Sequence, residues 1–298
     1  MNDAPSAEWA ADRTSIDGAL AALADALDPA VDARVADAIR YSLLGGGKRM
    51  RGLLFLAAYR TAGGTREASG LAAAIETVHA YSLVHDDLPC MDDDDMRRGR
   101  PTVHRVYSVQ AATAAGVAMV PLAARAGFSA ARSLGLGRAA CGRVVATLMR
   151  ASGAGGMIGG QLLDLDGEGK PLSIDDLERI HRAKTGALIS AATELGGVAA
   201  SASETQVAAL RDFGMAIGLA FQIADDVLDV TATTDRLGKT AGRDRDLNKS
   251  TYPALMGVER ARERAQTLVD DGCAGLRAAG LLSTELDALA RFVVERES

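Results

Sequence analysis

The segment His85–Asp95 reads HDDLPCMDDDD, and six of its eleven residues are aspartates. It follows Tyr81–Val84, a stretch with the composition of a buried helix. Two carboxylates about 4 Å apart repel each other by about 1 kcal/mol in water and several-fold more near a protein interior. Such a cluster raises its own pKa values, stays solvated or binds a cation. Its position at the end of an apolar segment favours a bound cation.

The apolar residues of the chain recur at helical spacing and do not form strand-length alternating runs. Examples are Leu20, Leu23 and Leu27, and later Leu210, Phe213, Ile217 and Phe221. The 298 residues carry a net charge of −6 and are 48% hydrophobic, which suits one large globular domain. We therefore predict an all-α fold, with residues 1–15 as a flexible N-terminal tail and residues 16–298 as a single domain.

Two local patterns predict where helices begin. Ser173 with an acid three residues later is typical of a helix N-cap. Thr251 or Ser250 can cap a later helix, with Pro253 in its first turn.

Several classes of protein are disfavoured by composition. No apolar run reaches the roughly 18–20 residues of a membrane span, and the N-terminus lacks an apolar signal core. The three cysteines are far apart and form neither a disulfide framework nor a zinc pattern. The acidic balance argues against nucleic acid as a partner. We expect a cytoplasmic protein without a transmembrane segment.

A second acidic cluster lies in Phe221–Val230, FQIADDVLDV. Asp225 and Asp229 are four residues apart and share a helix face, and Asp226 is about 100° round from Asp225. All three are surrounded by Phe, Ile, Val and Leu, unlike an ordinary solvated face. A pair of all-carboxylate clusters is typical of a site for a hard cation such as Mg²⁺.

The first cluster should fold back on itself. Pro89 disfavours helix at Leu88, so the chain should turn and bring Asp92 beside Asp86. Mg²⁺ is typically held by one or two carboxylates together with substrate phosphates. Basic residues that suit a phosphate ligand occur in Gly46–Arg51 and at Arg97 and Arg98, although the spacing of a P-loop is absent.

These motifs resemble those of the trans-prenyltransferases, the polyprenyl synthases. DDLPCMDDDDMRRG and FQIADDVLD match the two aspartate-rich motifs of that family, and GGKRMR, HAYSLVHDD, GGQLLDL and KTG occur in the family's order. The likeness covers about residues 16–297 and is strongest to bacterial farnesyl diphosphate synthases. It implies an isoprenoid-synthase fold, a helical bundle around a central cavity with both acidic motifs facing it, and a homodimer.

The resemblance also implies roles for individual residues and about three Mg²⁺ ions per active site. The implied metal ligands are Asp86, Asp87, Asp92, Asp225, Asp226 and Asp229. The implied contacts to the allylic diphosphate are Arg97, Lys184, Thr185, Gln222 and Lys239, and those to isopentenyl diphosphate are Lys48, Arg51, His79 and Arg98. Gln161 and Asp164 would support these groups.

The expected reaction is Mg²⁺-dependent head-to-tail condensation of isopentenyl diphosphate with dimethylallyl or geranyl diphosphate. Tyr81 and Ser82 would set the product length, because Tyr81 lies five residues before Asp86, roughly 7–8 Å down the helix. A ring there would form a floor and limit the product to farnesyl diphosphate (C15). Ordinary helix packing is the alternative interpretation of Tyr81.

The segment Tyr107–Arg138 departs from the family pattern. No Asp or Glu occurs between Asp95 and Asp164, and Pro121 interrupts the helical pattern at a cost of about 3 kcal/mol. A pair of compensating frameshifts in GC-rich DNA and ordinary divergence both explain this composition. Gly52, where the family usually has proline, is a smaller departure.

Other functions stay open at this point. Within the class, geranyl and geranylgeranyl diphosphate synthases are the alternatives, and Tyr81 distinguishes them. A non-catalytic subunit of a heteromeric synthase is disfavoured by two intact acidic motifs. A third class is a di-iron helical bundle, which needs a set of inward Glu and Glu-x-x-His pairs. Both acidic clusters of this chain consist of aspartates instead, which disfavours that class.

Overall fold

The computed structural model of the chain describes residues 7–231 and 250–295. Helices dominate these residues, which confirms the predicted all-α class. The first helices are α1 Ala7–Asp25, α2 Ala33–Leu43, α3 Met50–Thr61, α4 Ser69–Asp86, α5 Val103–Val106, α6 Val109–Ser133 and α7 Arg138–Ser152. The later ones are α8 Met157–Gly167, α9 Ile174–His181, α10 Ala187–Ala199, α11 Glu204–Thr231, α12 Tyr252–Met256, α13 Val258–Ala278 and α14 Thr284–Glu295.

Two short features supplement the helices. A π-helical turn, Arg182–Gly186, joins α9 to α10. The strands β1 Met96–Arg97 and β2 Arg100–Pro101 pair antiparallel, with Met96 opposite Pro101. The sequence analysis did not predict this hairpin, which directly follows the first acidic cluster.

The described residues divide into two compact units. We call residues 7–56 and 65–149 the N-terminal unit, and residues 57–64, 150–231 and 250–295 the C-terminal unit. The first aspartate-rich motif lies in the N-terminal unit and the second in the C-terminal unit. The single domain over residues 16–298 stays a prediction.

The predicted N-terminal tail is too long. Residues 7–15 belong to α1, and only residues 1–6 of the predicted tail lie outside the described residues. Trp9 is 6% exposed and Ile16 is fully buried, so packing of these side chains stabilises the start of the helix. The polar, irregular composition of residues 1–15 concealed this contribution from tertiary packing.

In the N-terminal unit, α4 packs against α6. Leu71, Ile75 and Val78 of α4 and Met119 of α6 are fully buried. Small side chains bring the helices close, since a Cβ added at Gly127 would lie 3.7 Å from the Cβ of Ala74. This packing determines where the C-terminal end of α4, with Asp86, is placed.

Pro121 does not end its helix, contrary to the sequence expectation. Helix α6 continues through Pro121 to Ser133. Pro121 is exposed, and Val117, whose carbonyl loses its helical hydrogen bond, is 61% exposed, so water can replace the missing donor. The frameshift and divergence hypotheses for the segment both remain open.

In the C-terminal unit, α11 packs against α10 and α13.

Two predicted caps are confirmed, at the starts of α9 and α12. The peptide N–H of Asp176 donates to Ser173 Oγ at 3.1 Å, and that of Ala254 donates to Thr251 Oγ1 at 3.3 Å. Pro253 occupies the first turn of α12, as predicted.

Helices α6 and α11 are long and apolar enough to cross a membrane, which the sequence analysis did not predict. The most apolar windows of α6 and α11 are 44% and 56% buried within the chain's own fold. Core helices of globular proteins pass the same test, so the two helices are weak evidence for a membrane span.

Candidate active site

The first aspartate-rich motif folds back on itself as predicted. Asp86 is the last residue of α4, and the chain turns through Leu88 and Pro89. The peptide N–H of Asp92 then donates to the carbonyl of Asp86 at 2.8 Å. Both side chains are partly exposed, and the turn places the two residues at the end of a largely buried helix.

Asp87 is held inside the protein. Its side chain is 4% exposed, and its Oδ1 accepts a hydrogen bond from Arg97 Nε at 2.6 Å. Burial raises the pKa of the Asp87 carboxyl, and the Arg97 guanidinium opposes that rise. Arg97 Nη2 also lies 3.4 Å from Asp94 Oδ2. Arg97, which was predicted to contact the allylic diphosphate, therefore pairs with two carboxylates in this structure.

A glycine-rich turn and the hairpin bring basic residues together. Gly46 and Gly47 have φ of 75° and 134°, where a side chain would be strained. Arg98 Nη1 donates to the carbonyl of Gly46 at 2.6 Å, and a Cβ at Gly47 would lie 2.3 Å from that nitrogen. Glycine is therefore required where Arg98 meets the turn that carries Lys48.

His79 of α4 lies in the field of this basic group. Burial lowers its pKa well below the usual value, and the charges of Arg51 and Arg98 lower it further. His79 is therefore neutral at physiological pH. The structure thus brings His79, Arg51 and Arg98 into one electropositive region of the N-terminal unit, while Lys48 is exposed beside it.

Sequence reasoning missed two supporting residues of this region. Arg49 is 6% exposed. Its Nε donates to Asp17 Oδ1 at 2.7 Å, and its Nη2 donates to the carbonyl of Leu43 at 3.0 Å. Glu76 is 2% exposed and accepts a hydrogen bond from the peptide N–H of Gly52 at 2.9 Å. Its position three residues before His79, on the same face of an apolar helix, was the signal available in the sequence.

The predicted chain-length residues lie on α4, five and four residues before Asp86. Tyr81 is 2% exposed, and its ring meets that of His85 edge-on, with centroids 5.9 Å apart. Ser82 Oγ donates to the carbonyl of His79 at 2.8 Å. His85 Nε2 lies 3.1 Å from the carbonyl of Thr113 on α6, so the ring next to Tyr81 is held in place by the neighbouring helix.

The second aspartate-rich motif lies near the end of α11. Asp225 is partly exposed, whereas Asp226 and Asp229 are 4% and 5% exposed. Oδ2 of Asp229 is buried and, within residues 7–231 and 250–295, has no hydrogen-bond partner. A buried carboxylate oxygen without a donor is costly, which fits a site where a cation or a donor from a ligand binds.

The π-helical turn carries Lys184 and Thr185. Lys184 Nζ donates to Asp164 at 2.6 Å, and Thr185 Oγ1 donates to Gln222 Oε1 at 3.0 Å. Glycines of α8 and α11 contact the turn closely. A Cβ added at Gly160 would lie 2.2 Å from the peptide nitrogen of Lys184, and one added at Gly218 would lie 2.6 Å from Gly186 Cα. π-helical turns inside helices frequently occur at functional sites.

Two further predicted residues complete the description of the site. Gln161 is 7% exposed, and neither atom of its amide has a hydrogen-bond partner in the described part of the chain. Lys239 lies outside the described residues.

Among the residues that the structure does describe, no group of three or more His, Cys, Asp or Glu side chains could hold a metal ion by itself. Pairs of carboxylates that share Mg²⁺ with substrate phosphates are compatible with that finding.

Comparisons with known proteins agree with these motifs. The chain is 44% identical to the farnesyl diphosphate synthase of Escherichia coli K12 over 270 residues, covering 88% of this chain and 89% of that protein. It is 41% identical to the chloroplastic geranylgeranyl pyrophosphate synthase 7 of Arabidopsis thaliana over 288 residues, covering 93% and 82%.

Solved structures show the same fold. An FPP/GFPP synthase from Zymomonas mobilis matches with a TM-score of 0.83 and 33% identity, over 97% of this chain and 100% of that one. A Helicobacter pylori geranyltransferase complexed with magnesium and isoprenyl diphosphate matches with a TM-score of 0.80 and 30% identity, over 98% of both chains. These neighbours confirm the expected isoprenoid-synthase fold. The polyprenyl synthetase family model matches residues 32–274, and the chain belongs to that family.

Proposed function

We propose that the protein condenses isopentenyl diphosphate head-to-tail with dimethylallyl or geranyl diphosphate and releases farnesyl diphosphate. The observation that carries this proposal is the first aspartate-rich turn. It joins Asp86 and Asp92 at the end of α4, and the buried Tyr81 lies five residues earlier on the same helix. That arrangement suits a ligand with a diphosphate head and an apolar tail.

The acidic residues suit Mg²⁺. Carboxylate oxygens are ligands that Mg²⁺ prefers, and substrate phosphates and water complete its coordination. Asp86, Asp92, Asp225 and Asp229 are the first candidates. The first three are partly exposed, and Asp229 has a buried oxygen that no described residue hydrogen-bonds. Asp87, bound to Arg97, is the weaker candidate. Three ions per active site stay a proposal from the family resemblance.

The basic residues bind the two substrates. In this proposal Lys184, Thr185, Gln222, Arg97 and Lys239 contact the allylic diphosphate, with Gln161 and Asp164 supporting them. Lys48, Arg51, His79 and Arg98 bind isopentenyl diphosphate. The electropositive region around His79 supports the second assignment, because a dianionic or trianionic headgroup offsets the mutual repulsion of the arginines there.

The reaction begins with ionisation of the allylic C–O bond, which leaves an allylic cation and a diphosphate anion. Mg²⁺ held by Asp86, Asp92, Asp225 and Asp229 would supply positive charge to the leaving oxygens, and the fixed cations Arg97 and Lys184 stabilise the charge that develops there. The isopentenyl double bond then attacks the cation and forms the new C–C bond. Loss of a proton to the released diphosphate restores a double bond. The carbonyl oxygen of Lys184 and the amide of Gln222 stabilise the cation, and no protein nucleophile takes part.

Tyr81 sets the product length in this proposal. The growing apolar chain extends from the aspartates along α4 and meets the buried Tyr81 ring, with Ser82 beside it. The similarity to geranylgeranyl pyrophosphate synthases keeps a C20 product as the alternative.

The protein acts as a homodimer in the cytoplasm. The exposed face of α6 supports self-association, since Val109, Val117 and Phe128 are 41%, 61% and 39% exposed along one side of the helix. A heterodimer is the alternative, because one relative is described as a heterodimeric geranylgeranyl pyrophosphate synthase large subunit.

A product assay tests the proposed function. Purified protein receives Mg²⁺, labelled isopentenyl diphosphate and either dimethylallyl or geranyl diphosphate, and the dephosphorylated products are sized by chromatography. We expect a C15 product that disappears when a chelator is added. A C20 product would overturn the Tyr81 floor and keep the reaction. A folded dimer that forms no product would overturn the enzymatic function.

A further inference from the structure

Asp226 stands in the middle of a hydrogen-bond chain in the C-terminal unit. Its Oδ1 accepts from Gln222 Nε2 at 3.3 Å, one helical turn earlier on α11. Its Oδ2 accepts from the peptide N–H of Tyr252, at the start of α12, at 3.1 Å. The residue is 4% exposed. Both carboxylate oxygens are therefore engaged by donors of the protein itself.

Aromatic residues enclose the same carboxylate. His181 Nε2 lies 3.8 Å from Asp226 Oδ2, and the His181 ring stacks on the ring of Tyr252 with centroids 5.7 Å apart and an angle of 23°. Tyr252 is fully buried. Asp226 thus differs from Asp225, which is partly exposed, and from Asp229, whose Oδ2 lacks a hydrogen-bond partner among the described residues.

The contact with Asp226 determines the direction of the Gln222 amide. An ionised carboxylate only accepts hydrogen bonds, whereas a primary amide has a donating nitrogen and an accepting oxygen. Nε2 must therefore face Asp226, and Oε1 is directed to Thr185, whose hydroxyl donates to it at 3.0 Å. With the amide reversed, its oxygen would face the carboxylate and the acceptor at Thr185 would be lost.

We propose that Asp226 is a positioning residue that fixes the Gln222 amide and, through it, the Thr185 hydroxyl, and that it is not a Mg²⁺ ligand. The inference rests on the proposed function, in which Gln222 and Thr185 contact the allylic substrate. A fixed amide presents the negative end of its dipole to a cation without reorganisation during the reaction. This role replaces the metal-ligand role that the family resemblance implied for Asp226.

Isosteric variants separate the two roles. In Asp226→Asn the introduced amide can offer its own N–H to Gln222, so the Gln222 amide is free to reverse. We expect kcat to fall roughly 10–100-fold, as for other residues that orient a site. Mn²⁺ affinity, measured by electron paramagnetic resonance in the presence of geranyl diphosphate, should fall less than it does in Asp225→Asn, because Asp226 is not a ligand of the metal in this proposal. Asp225→Asn should weaken Mn²⁺ binding. Asp212→Asn, an exposed change on the same helix, is the control that leaves both unchanged.

A swap of acid and amide provides the rescue. Gln222→Glu alone sets two carboxylates against each other and should lower kcat. Adding Asp226→Asn restores a donor–acceptor pair in which position 222 still offers an oxygen to Thr185. The double variant should recover at least roughly tenfold in kcat over Gln222→Glu. This comparison needs no folded Asp226→Asn single variant.

The outcomes are decisive in both directions. Equal loss of Mn²⁺ affinity in Asp226→Asn and Asp225→Asn, unchanged kcat in Asp226→Asn, or no recovery in the double variant would overturn the inference. The ¹H–¹⁵N resonance of the Gln222 side-chain amide gives a readout that needs no turnover. It should shift in Asp226→Asn and stay in Asp225→Asn, so an inactive wild-type protein would overturn the proposed function alone.

Discussion

The peptide N–H of Asp92 donates to the carbonyl of Asp86 at 2.8 Å, which closes the chain around Leu88 and Pro89. The backbones of the two aspartates are thereby joined before any ligand binds. A site prepared in this way does not have to order its ligands when substrate arrives, and such preorganisation favours binding and catalysis.

Replacing either carboxylate of the turn should impair catalysis. We expect Asp86→Asn and Asp92→Asn each to lower kcat/KM by at least roughly 100-fold, because the developing charge on the leaving diphosphate loses part of its stabilisation. Steady-state kinetics at several Mg²⁺ concentrations measures the effect. Asp93→Asn is the matched control, since Asp93 is exposed and its φ of 50° is one that asparagine tolerates. Equal losses in all three variants would contradict a specific role for Asp86 and Asp92.

Removing the Tyr81 ring should lengthen the product. Tyr81→Ala opens space below the first motif, and we expect C20 and longer products in place of C15. The variant should also lose about 3–5 kcal/mol of unfolding free energy, the usual cost of a large-to-small change in a core. Tyr81→Phe keeps the ring and should keep the C15 product. Chromatography of the dephosphorylated products measures both, and an unchanged C15 product from Tyr81→Ala would show that another residue forms the floor.

The close packing of the π-helical turn gives a further prediction. In Gly218→Ala the added Cβ would lie 2.6 Å from Gly186 Cα, so the turn with Lys184 and Thr185 must move. We expect KM for geranyl diphosphate to rise roughly tenfold while KM for isopentenyl diphosphate stays within about twofold, since displacement of a positioned group costs binding energy.

Gly275→Ala is the control for this change. Gly275 lies inside α13. Apart from its chain neighbours and the backbone of its own helix, no described residue has a heavy atom within 4 Å of a Cβ added there. Alanine there should stabilise the helix by up to about 1 kcal/mol and leave both KM values unchanged. A rise in both KM values of Gly218→Ala would indicate a general loss of structure and would count against the positioning role.

Local sequence patterns were sufficient to predict the turn at Asp86–Asp92 and the caps at Ser173 and Thr251. Each depends on residues a few positions apart, where proline geometry or a side-chain acceptor determines the backbone. The all-α class followed for the same reason, because helical periodicity is itself a local property.

Contacts between distant residues could not be predicted in this way. Arg49 pairs with Asp17, 32 positions away, and Asp226 binds Tyr252, 26 positions away. Such pairs depend on how helices pack, and the spacing of charges along the chain does not specify that packing. The same reason explains why Pro121 was expected to interrupt α6, since its exposed position is a result of tertiary packing.

His79 should make stability depend on pH between about 5.5 and 7.5. Its pKa in the folded protein is lowered by burial and by Arg51 and Arg98, whereas in the unfolded chain it is about 6.5. The unfolded state therefore binds more protons as the pH falls below about 6.5, so the unfolding free energy falls there by up to about 1.4 kcal/mol per pH unit. Denaturant unfolding of wild type and His79→Asn at about pH 7.5 and about pH 5.5 measures the difference in unfolding free energy. The variant should lose less stability on acidification, and equal losses in the two proteins would refute the assignment.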